Sequence, residues 1–297
     1  MGTLSFDVIA NGDYKDEVKS VVLAGASSVA LSEVSFEAQD EDVKVKELVL
    51  TLSGTTDYSS TIKNVKLVNA ATKATIVDGA VVTFSGSTVI TFKNDFVVAD
   101  ASNEVKALLV VDLEKYTDKG GSVSAVTGDV VVKYSTVEAT WVASNEDITA
   151  SNTSAAGETV AIVPALVTVS IVDEIGANDK DAVIRFAVDK GTNDFTDDSV
   201  YFTGVLLETA VASGVTIRND DDAALTLVGA NTTSITTTSA LVDTEIVNND
   251  EFTFKVEVDG DEVRVLARGI KYTIGAGSTV YSVVNDKVIN LGEYDAN

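Results

Sequence analysis

A chain of 297 residues with 21 Lys plus Arg against 46 Asp plus Glu carries a formal net charge of −25, and it contains neither cysteine nor histidine. That composition excludes disulfides, thiolate metal sites and the commonest general base and zinc ligand, and a charge of that sign repels phosphate backbones and anionic headgroups. The 45% apolar content suffices for a core in each of two ordinary domains, held by packing alone.

The chain opens "MGTLSFDVIANGDY", with no basic segment followed by an apolar one, so it does not read as a signal peptide. Met-Gly followed at once by a strand, "TLSFDVIA", is the expected look of a piece of a longer protein. No run reaches the roughly 18 apolar residues of a membrane-spanning helix. Residues 1–27 are taken as an N-terminal strand and connection, either an assembly strand or the end of a preceding domain. Thr3 to Ala10 is the stretch expected to pair with a neighbouring subunit.

Beyond it, apolar residues recur two apart between Gly, Asn, Asp and Ser clusters, the pattern of half-buried antiparallel strands. "SVALSEVSFEA" is the first such strand. "EDVKVKELVLTLSG" is the second, and it changes parity: Val43 and Val45 share one face, whereas Leu48, Leu50 and Leu52 fall on the other. One extra residue, a β-bulge, restores a common core face, and the alternative is two strands meeting at a kink. Lys44, Lys46 and Glu47 fit the protection of a sheet edge. In "EVKALLVVDLE", Val105, Ala107, Leu109, Val111 and Leu113 lie on one face.

Between Asn145 and Glu158 the chain turns small and polar and reads as a loop. Pro164, the sole proline, cannot donate to a ladder, so it belongs at a strand edge or crossover. The domains are therefore set at 28–163 and 164–297. The second half, "ALVTVSIVD", "AVIRFAVDKG", "SVYFTGVLLET" and "EFTFKVEVDG", follows the first in order though not in identity. Asp259-Gly260 marks a hairpin between "FTFKVEV" and "VRVLARGIKYT". The fold class expected is all-β, two tandem Ig-like antiparallel β-sandwich domains of about seven to nine strands each.

The segments "GTLSFDVIANG", "VVLAGASSVALSEVSFEAQDEDVKVKELVLTLSG" and "IKNVKLVN" resemble the Ig-like repeats of bacterial cell-surface and S-layer-like proteins, over roughly residues 2 to 115. The resemblance implies an extracellular, modular, non-enzymatic protein and carries no catalytic residues with it.

Candidate chemistry is confined to acidic clusters. "RNDDDAA" brings Asn219, Asp220, Asp221 and Asp222 together, an oxygen-rich set suited to calcium, and a solvated turn is the alternative. Asp173 to Asp181 with Asp197 and Asp198, and Asn248 to Glu251, are further acidic stretches. Paired carboxylates of a glycosidase carry no diagnostic weight among 46 acidic residues. Trp141 among apolar neighbours reads as core rather than a sugar platform, as do Tyr116, Tyr134, Tyr201 and Tyr281. Asn152 and Asn231 begin N-x-S/T sequons. The function expected is structural: a subunit of a surface layer, stalk or filament that self-assembles through sandwich edges, with calcium as its assisting cation. The alternative is an adhesin or carbohydrate-binding module that takes glycans. No nucleic acid and no membrane insertion are expected.

Overall fold

The computed structural model describes residues 3–8, 18–85, 87–98, 104–117, 127–151, 156–173, 181–193, 200–209, 215–218, 224–225, 234–236, 245–246, 251–258, 262–274 and 281–295. The chain is all-β. It divides into two compact units, one ending at Pro164 and the other resuming at Ala165.

The first unit contains β1 (Thr3–Val8), β2 (Val21–Leu23), β3 (Val29–Gln39), β4 (Val43–Gly54), the one-turn helix α1 (Tyr58–Thr61), β5 (Ile62–Asn69), β6 (Thr75–Asp78), β7 (Val81–Ser85), β8 (Ser87–Val98), β9 (Val105–Leu113), β10 (Gly128–Trp141), β11 (Asp147–Ser151) and β12 (Ala156–Val163). A five-stranded sheet runs β1-β3-β9-β5-β6. A seven-stranded sheet runs β2-β12-β10-β4-β8-β7, with β11 also paired to β10. All pairings are antiparallel except that of β2 with β12. The sheets face one another: the Phe36 ring of β3 meets Phe96 of β8 edge-on at 5.4 Å, and the Tyr134 hydroxyl of β10 donates to Ser32 Oγ of β3 at 3.1 Å. Leu31, Phe36, Leu48, Leu50, Leu67, Ile90, Phe92 and Tyr134 are fully buried in this sandwich.

The second unit contains β13 (Leu166–Asp173), β14 (Asp181–Asp189), β15 (Val200–Thr209), β16 (Val215–Arg218), β17 (Ala224–Leu225), β18 (Ser234–Thr236), β19 (Glu245–Ile246), β20 (Glu251–Val258), β21 (Glu262–Ile274) and β22 (Tyr281–Asp295). Its five-stranded sheet runs β13-β14-β20-β16-β17, the same plan as β1-β3-β9-β5-β6. Its second sheet, β18-β15-β21-β22 with β19 on β15, matches the β8-β4-β10-β12 portion of the first unit in the same way. The ordered similarity between the halves is thus a shared topology, in which successive strands cross from sheet to sheet as in immunoglobulin-like folds.

The bulge expected in the second strand is present. Against β10, Glu47 and Val45 pair with the adjacent Glu138 and Ala139, which leaves Lys46 as the extra residue, and the register with β8 shifts at the same step, between Val45 and Glu47. Val43, Val45, Leu48, Leu50 and Leu52 are all buried in consequence. The edge role expected for Lys44, Lys46 and Glu47 is not observed, because β10 and β8 flank β4 on both sides.

Four further expectations are corrected. The described residues of the stretch 1–27 are not set apart from the first sandwich: β1 pairs with β3 along its whole length and buries Leu4, Phe6 and Val8, and β2 lies beside β12. The stretch 145–158 is not a loop throughout, since β11 and the start of β12 occupy part of it and find their ladder partners on β10. The first unit accordingly exceeds the expected strand number. No hairpin joins β20 to β21, for β20 pairs with β14 and β16 while β21 pairs with β15 and β22. A glycine turn permits either a hairpin or a crossing between sheets, and the tertiary partners decide; the turn residues 259–261 lie outside the described residues. The same crossing occurs at Asp78-Gly79, where Gly79 adopts φ 81° between β6 and β7.

Candidate functional site

The expected calcium ligands Asn219, Asp220, Asp221 and Asp222 lie outside the described residues, as do 174–180, 197–198 and 248–250 and the sequons at Asn152 and Asn231. Among the described residues no group of three or more acidic side chains is placed to hold a metal ion. Trp141 is 5% exposed, and Tyr116 and Tyr134 are buried as well, so none of these rings offers a flat surface to a sugar.

The carboxylates with a perturbed equilibrium share one behaviour. Asn64 Nδ2 and the Ser28 amide donate to Asp112 and hold its carboxyl below the ordinary range. Lys63 does the same for Glu114, Lys46 for Asp147, and the Ser59 hydroxyl and amide for Asp57. General-acid work requires a carboxyl raised toward neutrality. These four are held in the opposite direction, as structural anions.

What the first unit does present is an open sheet edge. β7, "VVTFS", pairs with β8 on one side only and ends the seven-stranded sheet. Val81 is 58% exposed and Phe84 47%. Sheet edges are ordinarily blunted by charge, proline, a bulge or a cover. β7 has none of the first three, although 23% of the chain is charged. The other edges of this unit differ: β1 carries Asp7, β6 carries Asp78, and β2 has three residues.

Beside β7 the sandwich interior opens into a cleft of about 440 Å³. Leu52, Thr88 and Phe84 lie in one cross-strand row on the core face, and their exposure rises outward from 2% to 7% to 47%. The opposite lip is α1. Asp57 caps it, its Oδ1 accepting from Ser59 N at 3.1 Å and Ser59 Oγ at 2.7 Å, so the short helix starts on a fixed carboxylate. The corner behind α1 is drawn tight by Gly54, at φ 143°, where a Cβ would stand 2.0 Å from the Asp129 carbonyl oxygen. That carbonyl accepts from Thr55 N at 3.1 Å and Thr56 Oγ1 at 3.2 Å. The Tyr58 hydroxyl is buried in the same corner and has no hydrogen-bond partner. Burial, with the charge of Asp129, pushes its phenol up to about 12. The site therefore offers a row of backbone donors and acceptors, an aromatic lip and an adjoining slot.

None of the residues singled out in the sequence lies in β7, whose signal is a lack of chemistry: the run from Gly79 to Phe92 is uncharged in a strongly acidic chain.

No family model matches this chain, and no curated protein does. Solved structures similar to it include a chain of the CaDoc0917–CaCohA2 complex, at 15% identity and TM-score 0.27, which covers 54% of this chain and 99% of that one. The major pilin subunit of Bacillus cereus superposes at 12% identity and TM-score 0.21, over 99% of this chain and 69% of the pilin. The adhesin InvE of Yersinia pseudotuberculosis does so at 12% identity and TM-score 0.19, over 98% and 58%. Superpositions this loose carry no functional argument.

Proposed function

We propose that this chain is a non-enzymatic structural module of a cell surface, of the layer, stalk or filament kind, that joins its neighbours through sheet edges. The observation that carries the proposal is β7, an uncharged and unguarded edge strand with Val81 and Phe84 in solvent. Strand addition at such an edge supplies main-chain hydrogen bonds, while the cleft beside it receives alternate side chains. The surface location follows the resemblance of residues 2–115 to Ig-like surface repeats. The −25 charge opposes close approach of identical chains, so assembly requires screening, and divalent cations such as calcium are the effective agents.

A second reading, an adhesin or carbohydrate-binding module, is favoured by one feature: the cleft's mixture of the Phe84 ring with Ser53, Thr56, Ser59 and Thr88 hydroxyls. Light scattering and negative-stain microscopy of the purified chain, in chelator at low salt and then with salt or calcium, separate the two. Ordered sheets or filaments that form on screening support the structural reading. A monomer under every condition, together with saturable binding on a glycan array, replaces it with the second.

A further inference from the structure

We infer that the occupant of the β7 edge is β7 of a second copy, paired antiparallel about a two-fold axis through Thr83, so that two seven-stranded sheets become one. The inference rests on the edge-assembly reading above and names its partner and register.

Three observations carry it. The first is charge: two chains of −25 repel over most of their surfaces, and β7 is an edge whose five residues carry no charge at all. The second is parity. A two-fold axis perpendicular to the sheet keeps the core-side residues of both copies on one side, which restricts antiparallel self-pairing to registers that oppose residues of like parity. Centring on Thr83 uses all five residues. The third is the pairing this register produces. Val82 and Phe84 share the core side with Ile90 and Thr88, so Val82 of each copy meets Phe84 of the other. Aromatic with β-branched is among the favourable cross-strand combinations. On the other side, Thr83 meets its own counterpart.

Such a contact covers far less than the roughly 1,000 Å² of a stable interface. The pairing is weak between free chains and becomes effective where chains are held close together, because local concentration then replaces affinity.

The absence of cysteine provides a clean test. Directly opposed residues of an antiparallel pair have Cα atoms about 4.5–5.5 Å apart, within disulfide reach. Under diamide, which takes up the two electrons and two protons released, Thr83→Cys is expected to form a covalent dimer roughly tenfold or more faster than Val142→Cys, given the higher local concentration of opposed thiols. Val142 is a fair control, 52% exposed and away from β7. The rate is expected to rise with ionic strength, opposite to an interface built on ion pairs, and adding Val81→Lys to Thr83→Cys is expected to abolish the advantage. Circular dichroism of each variant establishes that it is folded. Equal rates for Thr83→Cys and Val142→Cys overturn the inference. Light scattering of the same unsubstituted chain then distinguishes the two levels: particles without Thr83 cross-linking mean assembly through another edge, and no particles under any screening overturn the assembly reading as well.

Discussion

Deleting Lys46 tests whether the bulge in β4 sets the register of the larger sheet. With the extra residue gone, Val43, Val45 and the three leucines that follow fall into uninterrupted alternation, so a straight strand keeps all five on the core face and the deletion is expected to cost little beyond the local bend. A strand whose two halves were not reconciled at Lys46 would instead turn out Val43 and Val45, which are 0% and 1% exposed. At about 1.5–3 kcal/mol for each buried valine, that outcome would remove about 3–6 kcal/mol. The substitution Lys46→Ala keeps the residue count and removes only an exposed ion pair, Lys46 Nζ to Asp147 Oδ1 at 3.0 Å. Exposed pairs of this kind contribute about 1 kcal/mol or less. Urea titration followed by tryptophan fluorescence reports the first unit alone, since Trp141 is the sole tryptophan and pairs directly with Val43. A deletion that costs about 3–6 kcal/mol more than Lys46→Ala contradicts a bulge at this position.

The remaining predictions concern groups whose partners are fixed. Tyr58→Phe removes a buried hydroxyl that has no partner, so the urea midpoint is expected to rise, by up to about 1 kcal/mol in stability; a loss of stability contradicts the assignment. Ser32→Ala and Tyr134→Phe each strand one member of the hydrogen bond between the sheets and are expected to cost about 1–3 kcal/mol, with the double variant well short of their sum, and simple additivity in a double-mutant cycle counts against that bond. Asp112 has a folded pKa below its ordinary 3.8, so its contribution is present above that value and disappears as pH falls through the folded one. Asp112→Asn should therefore be less stable than the parent chain at neutral pH and indistinguishable from it in strong acid, and a difference that persists in acid assigns the effect to packing instead.

Parity and spacing made much of the first unit legible in the sequence. The parity change between Val45 and Leu48 located the bulge because a buried sheet fixes side-chain direction residue by residue. The correspondence between "EVKALLVVDLE" and "EFTFKVEVDG" was likewise visible, and β9 and β20 hold equivalent central places in their sheets. Pairing partners were less legible. Asp259-Gly260 is a turn signal in the sequence, but whether β21 folds back on β20 or crosses to β15 depends on contacts far away in sequence. β11 was lost within a polar stretch because its ladder partner, β10, supplies the order that its own composition does not. The candidate edge was hidden for a different reason. An edge strand is defined by the neighbour it lacks, and that is a property of the sheet rather than of "VVTFS".

Hydrogen–deuterium exchange of the β7 amides as a function of protein concentration, under screening salt, follows the edge pairing itself. Outward-facing amides of an unpaired edge exchange rapidly in the isolated chain, and pairing protects them. The account predicts that protection within residues 81–85 grows as particles form while the β4 and β10 amides, already paired on both sides, stay unchanged. Particles that form with β7 exchange unaltered would contradict it.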